Sequence, residues 1–525
     1  MSCTLRIFMF FPLFTLKEFD MFFSAVGLLS MMMSDASFLN SGPYLQGVSD
    51  HQASILFETE TTSHCNVEYE DKMVATEIIH QTYGDLSLFK ATLDSLESDT
   101  FYNYRVHCRK DETVTVGDWH ELRTFPPSGE QENFSFLMSS DAQSGYQATF
   151  QTVRKSMMPR LQQWKEDDFP VRFMLFAGDL VQHGRQHHRW RQDFFFPMAP
   201  LLAEIPLFPA IGNHEENDAL YFKYFQLPAN GSSKEDLAEH WYYFDHGAVR
   251  FITLDTNKEY RTQEQLDWLK QLLEKTNEQK KSIDFVVVQF HHPYLSELWV
   301  KGNTEYSGEI QQKLEQFSNE SGIPSISLFG HTHGYSRGHS FSARHTMINV
   351  GSIGGRLDQW GKYEQKDYPE YVMSLDHYGW LRATVMKGKG EESSIKFQRF
   401  NYGQRDNQWD EGIVDEFIIR KNSHPPVRPT VKLVNRKEVE ISPFIDEDGD
   451  ELLSVHLQVS LDESFVDEES LLVNKMMNKV NIFHNADLNE HLDLSKIAVE
   501  VPLKAYVRVR YRDSSLHYSE WSEVQ

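Results

Sequence analysis

The sequence predicts an α/β protein with a layered central region and an all-β region on each side. Three observations lead there. From Asn133 to about residue 405, short apolar strands alternate with stretches of helical period, the pattern of a largely parallel or mixed sheet covered by helices. Residues 43–127 instead carry period-2 alternation, as in Ala53-Ser54-Ile55-Leu56-Phe57 and Tyr102-Asn103-Tyr104-Arg105-Val106, with no long helical period. That is the texture of a small antiparallel sandwich. Strand texture returns towards the carboxyl terminus, where Val507–Arg512 alternates and Trp521 follows. Pro126-Pro127-Ser128-Gly129 and His424-Pro425-Pro426 punctuate the two transitions. The expected division is a leader over 1–38, a first sandwich over 39–127, a central region over 130–405 and a second sandwich over 425–525.

Within the central region the elements follow in order. Phe134–Met138 is a strand ending at Ser139-Ser140-Asp141, followed by a helical stretch, Ala148–Lys165. Val171–Phe176 is a strand ending at Ala177-Gly178-Asp179, and another helical stretch leads to Pro206–Ile211 and Gly212-Asn213-His214-Glu215. Val249–Leu254 is a strand. Thr262–Lys280 sets Leu266, Leu269, Leu272 and Leu273 on one helical face. Asp284–Phe290 ends at His291-His292-Pro293, Tyr306–Ser318 is helical, and Ile326–Phe329 ends at Gly330-His331-Thr332-His333.

Bulk properties bound the function. The 525 residues suit roughly three domains. With 51 basic and 77 acidic residues the formal charge is −26, which repels nucleic-acid backbones and anionic membranes, so no nucleic-acid surface is expected. The apolar runs Ile7–Leu16 and Met21–Met33 are each shorter than the roughly 18 residues of a membrane span. The second, between Lys17 and Ser34-Asp35-Ala36, reads as a secretory signal peptide. Export is therefore expected, secreted or periplasmic, with no span in the mature chain. The three cysteines include no Cys-x-x-Cys pair. Cys65 and Cys108 both fall in the first sandwich, where a disulfide and two buried free thiols are both open.

The chemistry sits at five strand ends, which in order carry Asp141, Asp179, Asn213, His291 and the pair His331/His333. Carboxylate and amide oxygens with imidazole nitrogens suit zinc, manganese or iron. In open α/β sheets, ligand sites lie beyond the carboxyl ends of the strands. A lone Gly-Asp or Asn-His means little, but five pieces in one order, each after a strand, are improbable by chance.

The motifs Asp141-Ala142-Gln143, Gly178-Asp179, Gly212-Asn213-His214-Glu215, His291-His292-Pro293 and Gly330-His331-Thr332-His333 resemble those of the calcineurin-like metallophosphoesterases. The resemblance covers about residues 133–400. Pro43-Tyr44-Leu45-Gln46, Leu93-Asp94-Ser95-Leu96, Trp241-Tyr242-Tyr243-Phe244-Asp245 and Leu254-Asp255-Thr256-Asn257 are similar to the purple-acid-phosphatase-like branch, which carries an amino-terminal fibronectin-type sandwich. The resemblance implies a four-layer α/β/β/α metallophosphoesterase sandwich flanked by two all-β sandwich domains. It implies two divalent or mixed-valence ions of iron, zinc or manganese. Asp141, Asp179 and His333 would hold the first, and Asp179, Asn213, His291 and His331 the second, with Asp179 bridging. His214 would sit beside the phosphate, donating to it or protonating the leaving oxygen, so the resemblance implies His214 and Asp179 as the catalytic residues. Two ions about 3.5–4 Å apart can clamp a phosphate and generate a hydroxide nucleophile near neutral pH.

Two departures bear on the first ion. Gln143 stands where many relatives have His, and Gln182 stands where purple acid phosphatases have the Tyr that gives their colour. Gln143, Gln182 and His292 are therefore candidates for a weak metal or substrate contact, with His292 favoured as a packing residue. The bland readings elsewhere are a solvated face for His183, His187 and His188 and core for Phe194–Phe196. Asp446, Asp448 and Asp450 imitate the start of a calcium loop. Glu451 at its glycine position and Leu457 at its closing position exclude an EF-hand, so a turn between strands is favoured over weak calcium binding. The expected function is metal-dependent hydrolysis of a phosphate ester, first a monoester. A phosphodiesterase on the same site and a catalytically weak binding module are the alternatives.

Overall fold

The computed structural model describes residues 38–525 except 128, 166, 235–236, 388–392, 405 and 484–491. The leader read from the sequence lies outside the described residues, apart from Phe38. No helix among the described residues is long and apolar enough to cross a membrane.

Two sheets form the centre of the molecule. The first has six strands in the order Leu207–Ala210, Val171–Ala177, Phe134–Ser139, Gly379–Met386, Ser394–Asn401, Gly412–Arg420. Its first three strands are parallel and the rest antiparallel. The second has seven strands in the order Tyr242–His246, Val249–Thr253, Phe285–Gln289, Ser325–Phe329, His345–Asn349, Tyr335–His339, Tyr371–Leu375. Its inner four, from Val249–Thr253 to His345–Asn349, are parallel.

Strand periodicity of two decides what each face meets. Phe134, Phe136, Met138, Phe173 and Leu175 point to the second sheet and pack with its Phe251, Val287, Ile326 and Leu328. Leu137, Met174 and Phe176 point the other way, onto Val153, Met157, Trp190 and Phe194. Ile252, Val286 and Val288 of the second sheet meet Leu266, Leu269, Ile310 and Leu314. The result is helix, sheet, sheet, helix: the four-layer α/β/β/α sandwich.

The helices start and stop where their ends supply partners. Helix Gln263–Glu278 begins at Thr262, whose side chain accepts from the Gln265 N–H. Helix Glu305–Ser321 ends at Gly322, which takes the left-handed conformation at φ 76°. Tyr146–Thr152 runs through a π-helical segment, Val153–Met157, into Met158–Trp164.

The strands between residues 335 and 401 have no counterpart in the sequence reading. Several, such as Tyr335–His339, are short and carry polar residues on buried positions, so alternation is weak. The first sheet also continues to Gly412–Arg420, past the residue 405 at which the sequence reading ends the central region. The polar, turn-rich stretch before that strand mimics a domain boundary.

Each flank is a pair of antiparallel sheets over its own core. In the first, Ser41–Gln46, Gln52–Glu60, Leu86–Asp94 and Glu77–Tyr83 face a second sheet centred on His64–Tyr69 and Phe101–Lys110. Ile55, Phe57, Val67, Phe89 and Val106 fill the space between. Cys65 and Cys108 stand opposite one another in adjacent strands and are joined by a disulfide. Among the described residues the carboxyl-terminal flank has two three-stranded sheets, Val431–Val434 with Glu438–Ile441 and Lys496–Ala498, and Leu471–Asn478 with Leu452–Ser460 and Tyr506–Asp513.

Both flanks are fastened to the centre by buried polar contacts. Glu58 of the first is fully buried and accepts from His187 Nε2 at 2.9 Å and Tyr224 Oη at 2.9 Å. His187 is thus an interdomain residue rather than part of a solvated face. Phe194 and Phe195 are core. The second flank pairs Ile482 with the edge strand Tyr371–Leu375, through Ser374 N–H to Ile482 O at 2.8 Å and Ile482 N–H to Val372 O at 3.0 Å.

Candidate metal centre

The turns after the parallel strands of the two sheets meet at one edge of the sandwich. Asp141, Asp179 and His331 all adopt positive φ there, at 57°, 57° and 67°. Left-handed backbone at three non-glycine residues is strain of the kind held at functional sites, and it folds the side chains back over the strand ends. Gly178 permits the closeness. A Cβ there would come within 2.7 Å of His291 Nδ1 and 2.9 Å of the Gly212 backbone.

Six residues singled out as metal ligands converge. His291 Nδ1 lies 2.8 Å from the Ala177 carbonyl, to which it donates, so Nε2 faces the centre. That nitrogen is 3.1 Å from Asn213 Oδ1, 3.2 Å from Asp179 Oδ2 and 3.2 Å from His331 Nδ1. His333 is oriented the same way: Nδ1 donates to the Arg356 carbonyl at 2.7 Å, and Nε2 lies 3.4 Å from Asp141 Oδ1. Such carbonyl partners fix the tautomer and aim of ligating histidines. Asp141, Asp179 and His291 each offer a ligand atom within 4.8 Å of the others, and so do His291, His292 and His331.

The donor set fits metal ions. Asp141 and Asp179 are buried, yet no Lys or Arg pairs with either among the described residues; their ionic partners are imidazoles. Burial acts to lower His291 and His333, but the Asp179 and Asp141 carboxylates raise them to about 9 and about 10. His331, desolvated and facing His291, is lowered to about 3. Burial alone would raise Asp179, but His291, His214 and His331 hold it well below the usual carboxylate range. Buried carboxylates of this kind call for positive charge, which imidazolium or a bound cation can supply.

The remaining candidates separate. Gln143 belongs to the centre: Nε2 lies 3.0 Å from Asp179 Oδ2 and 2.9 Å from His333 Nε2, while Oε1 is buried without a hydrogen-bond partner. Exchanging the two amide atoms turns the unpartnered oxygen towards the ligands. Gln182 does not join the centre through its side chain, whose Oε1 accepts from Ser144. Its carbonyl instead accepts from His214 Nδ1 at 2.8 Å. His214 is partly exposed, with Nε2 3.9 Å from Asp179 Oδ2. His292 packs on His331 with ring centres 4.3 Å apart and places Nδ1 3.1 Å from Thr256 Oγ1.

Glu215 has a part in the site's geometry that the sequence pattern alone does not reveal. It is fully buried and accepts from four main-chain N–H groups: Leu180 at 2.7 Å, Val181 at 3.2 Å, Asp179 at 3.0 Å and Gly212 at 2.7 Å. It thereby ties the Asp179 turn to the Gly212-Asn213 turn. Burial and the Asp179 charge push it up to about 7, against the pull of those N–H groups. The available signal was its place in Gly212-Asn213-His214-Glu215, an acid directly after two site residues. Asp358 and Asn257 act similarly, accepting from the His333 N–H at 2.9 Å and donating to the Gly212 carbonyl at 3.0 Å.

Residues 113–335 match the family described as calcineurin-like phosphoesterase. That region of the chain is similar to the calcineurin-like phosphoesterases. Among curated proteins, human acid phosphatase type 7 is 24% identical over 182 residues, which are 31% of this chain and 40% of the human protein. The chain thus spans less than half the length of that relative. Among solved structures, a purple acid phosphatase from yellow lupin (Lupinus luteus) seeds superposes with a TM-score of 0.55 at 16% identity, covering 72% of this chain and 74% of the lupin chain. The shared fold is that of a metallophosphoesterase with flanking β domains.

Proposed function

We propose that the protein hydrolyses phosphate monoesters with two metal ions. The observation that carries the reading is the convergence of Asp141, Asp179, Asn213, His291, His331 and His333 from five separate turns. Asp179 is suited to bridge, since it contacts His291 on one side and Gln143, the neighbour of His333, on the other. Bound ions would neutralise phosphate charge and activate water for in-line attack.

The chain's own part is orientation and proton transfer. Ala177 and Arg356 carbonyls hold His291 and His333 with Nε2 inward, and Glu215 holds the Asp179 and Asn213 turns in register. His214 has Nδ1–H fixed on the Gln182 carbonyl, so Nε2 is the atom that gives a proton to the leaving oxygen. Trp299, 5.3 Å from the His331 ring, and Tyr363, 5.4 Å from Trp299, offer an aromatic wall for the leaving group.

The relatives' names, acid phosphatase and purple acid phosphatase, agree with this reading. We also read residues 39–127 as a fibronectin-type sandwich and 425–525 as a second sandwich. The protein works outside the cytoplasm, where the Cys65–Cys108 disulfide is stable. The test is turnover of an aryl phosphate monoester and the matching diester by chelator-stripped protein given manganese, zinc or iron. Monoester turnover restored by one of these ions supports the proposal. Restored diester turnover alone replaces it with a phosphodiesterase, and no turnover with any ion overturns it.

A further inference from the structure

Far from this centre, the turn between Glu438–Ile441 and Leu452–Ser460 gathers carboxylates. We propose that it is a binding site for a calcium-sized divalent cation, held by Asp446, Asp450 and Asp513. The key observation is a set of stranded oxygens. Asp446 Oδ2, Asp450 Oδ2 and Asp513 Oδ2 are all buried and have no hydrogen-bond partner. Asp513 is fully buried and Asp450 is 7% exposed. Asp513 belongs to another strand, 63 residues beyond Asp450, so it is no part of the turn.

Backbone contacts bring the groups together. Asp513 stands opposite Leu452 in the sheet, and Ser514 N–H donates to the Glu451 carbonyl at 2.9 Å. Asp446 Oδ1 accepts from the Asp448 and Asp450 N–H groups at 2.9 and 3.0 Å, curling the turn around its second oxygen. Leaving such oxygens dry and unpaired is costly, so a cation is the natural complement.

Arg344 and Arg512 lie close enough to act on Asp513 through their charge, but no side-chain cation hydrogen-bonds the three stranded oxygens. Arg420 Nε donates to Asp450 Oδ1, the other oxygen of that carboxylate. Arg344 is engaged with the carbonyls of Ser515, Lys421 and Arg420. His424 pairs with Asp448, which therefore takes no part. Ser515 Oγ, also buried and unpartnered, and Ser514 Oγ, 3.4 Å from Asp450 Oδ1, add neutral oxygens.

An all-oxygen set with several carboxylates suits calcium, which takes six to eight oxygens in flexible geometry; magnesium demands a near-ideal octahedron. The three aspartates are set more loosely than Asp141, Asp179 and His291, whose ligand atoms lie within 4.8 Å of one another. Cation binding would therefore draw the turn inward. Because Arg420 is the last residue of the final central strand, the ion would also brace the carboxyl-terminal sandwich against the centre.

The test is thermal unfolding of the full chain after washing with a calcium chelator, with calcium chloride or magnesium chloride added back. Four proteins are compared: the parent, Asp513→Asn, Asp446→Asn and the catalytic-centre variant Asp179→Asn. Calcium is expected to raise the parent's melting temperature by roughly 2–3 °C at about 100 times its Kd, and magnesium by far less. The shift should persist in Asp179→Asn and vanish in both other variants. Without calcium, Asp513→Asn should melt no lower than the parent, since it removes a buried like charge. A parent that does not respond to millimolar calcium overturns the proposal. So does a shift kept in Asp513→Asn and Asp446→Asn but lost in Asp179→Asn, which would place the ion at the catalytic centre.

Discussion

Replacing Glu215 by Gln exchanges one oxygen for an NH₂ group where four backbone N–H groups converge. Two N–H groups share each carboxylate oxygen: Leu180 and Val181 on Oε1, Asp179 and Gly212 on Oε2. Whichever oxygen is lost, two buried N–H groups then face a donor. An unsatisfied buried group costs about 1–3 kcal/mol, so the variant should lose about 2–6 kcal/mol of stability. The effect should also reach the metals, because the two turns that Glu215 ties together carry Asp179 and Asn213. Groups that orient metal ligands are worth roughly 10–100-fold in metal affinity. Two assays read this out: the melting temperature of stripped protein, and retention of manganese or zinc against a competing chelator. Both should fall. Unchanged metal retention in a variant that melts lower would make Glu215 a purely structural residue. A variant unchanged in both would refute the reasoning.

Three more predictions follow from other contacts. His214→Ala should lower kcat by roughly 10²–10⁴-fold on an alkyl phosphate, and less on an aryl phosphate whose leaving group needs no proton, with metal content measured by mass spectrometry unaltered. Gln143→His should slow metal loss to a chelator, because imidazole is a stronger ligand than the neutral amide that touches Asp179 and His333. Glu58→Ala should cost about 3–5 kcal/mol in an unfolding experiment, since it strands His187 and Tyr224 in the interdomain contact. The pH dependence at Glu58 has a definite sign. Burial would raise this carboxyl, but hydrogen bonds from His187 and others lower it. Its contribution is therefore present above the ordinary carboxylate value and lost as pH falls through the depressed one. The Glu58→Ala difference should accordingly shrink in acid.

The sequence exposed the centre because its pieces are local. A strand, a sharp turn and a polar residue can be read within ten residues, and the parallel strands ending at Asp141, Asp179, Asn213, His291 and His331 are strongly apolar. What it could not expose depends on distant pairing. Gln143 and Gln182 look alike as missing ligands; only the fold shows one amide against Asp179 and the other tied to Ser144. Cys65 and Cys108 could be paired only once their strands were in register. Glu215 reads as the end of a motif until the backbone of residues 179–181 is seen wrapped around it. The strands from Tyr335 to Asn401 escape sequence patterning because their buried positions hold polar residues such as Ser336, Arg382 and Arg399, each bonded within the fold. The Asp446 segment has only the sequence signature of a turn, because its partner Asp513 comes from another strand of the sandwich.

Two ions sharing Asp179 are the centre of the proposed chemistry. Metal content per chain, measured by mass spectrometry after reloading stripped protein with manganese or zinc and removing excess, tests that claim without relying on any substrate. Two ions per chain in the parent, falling to one or none in Asp179→Ala while Asp513→Asn keeps both, is the predicted result. One ion or none in the folded parent, or two retained in Asp179→Ala, would contradict it.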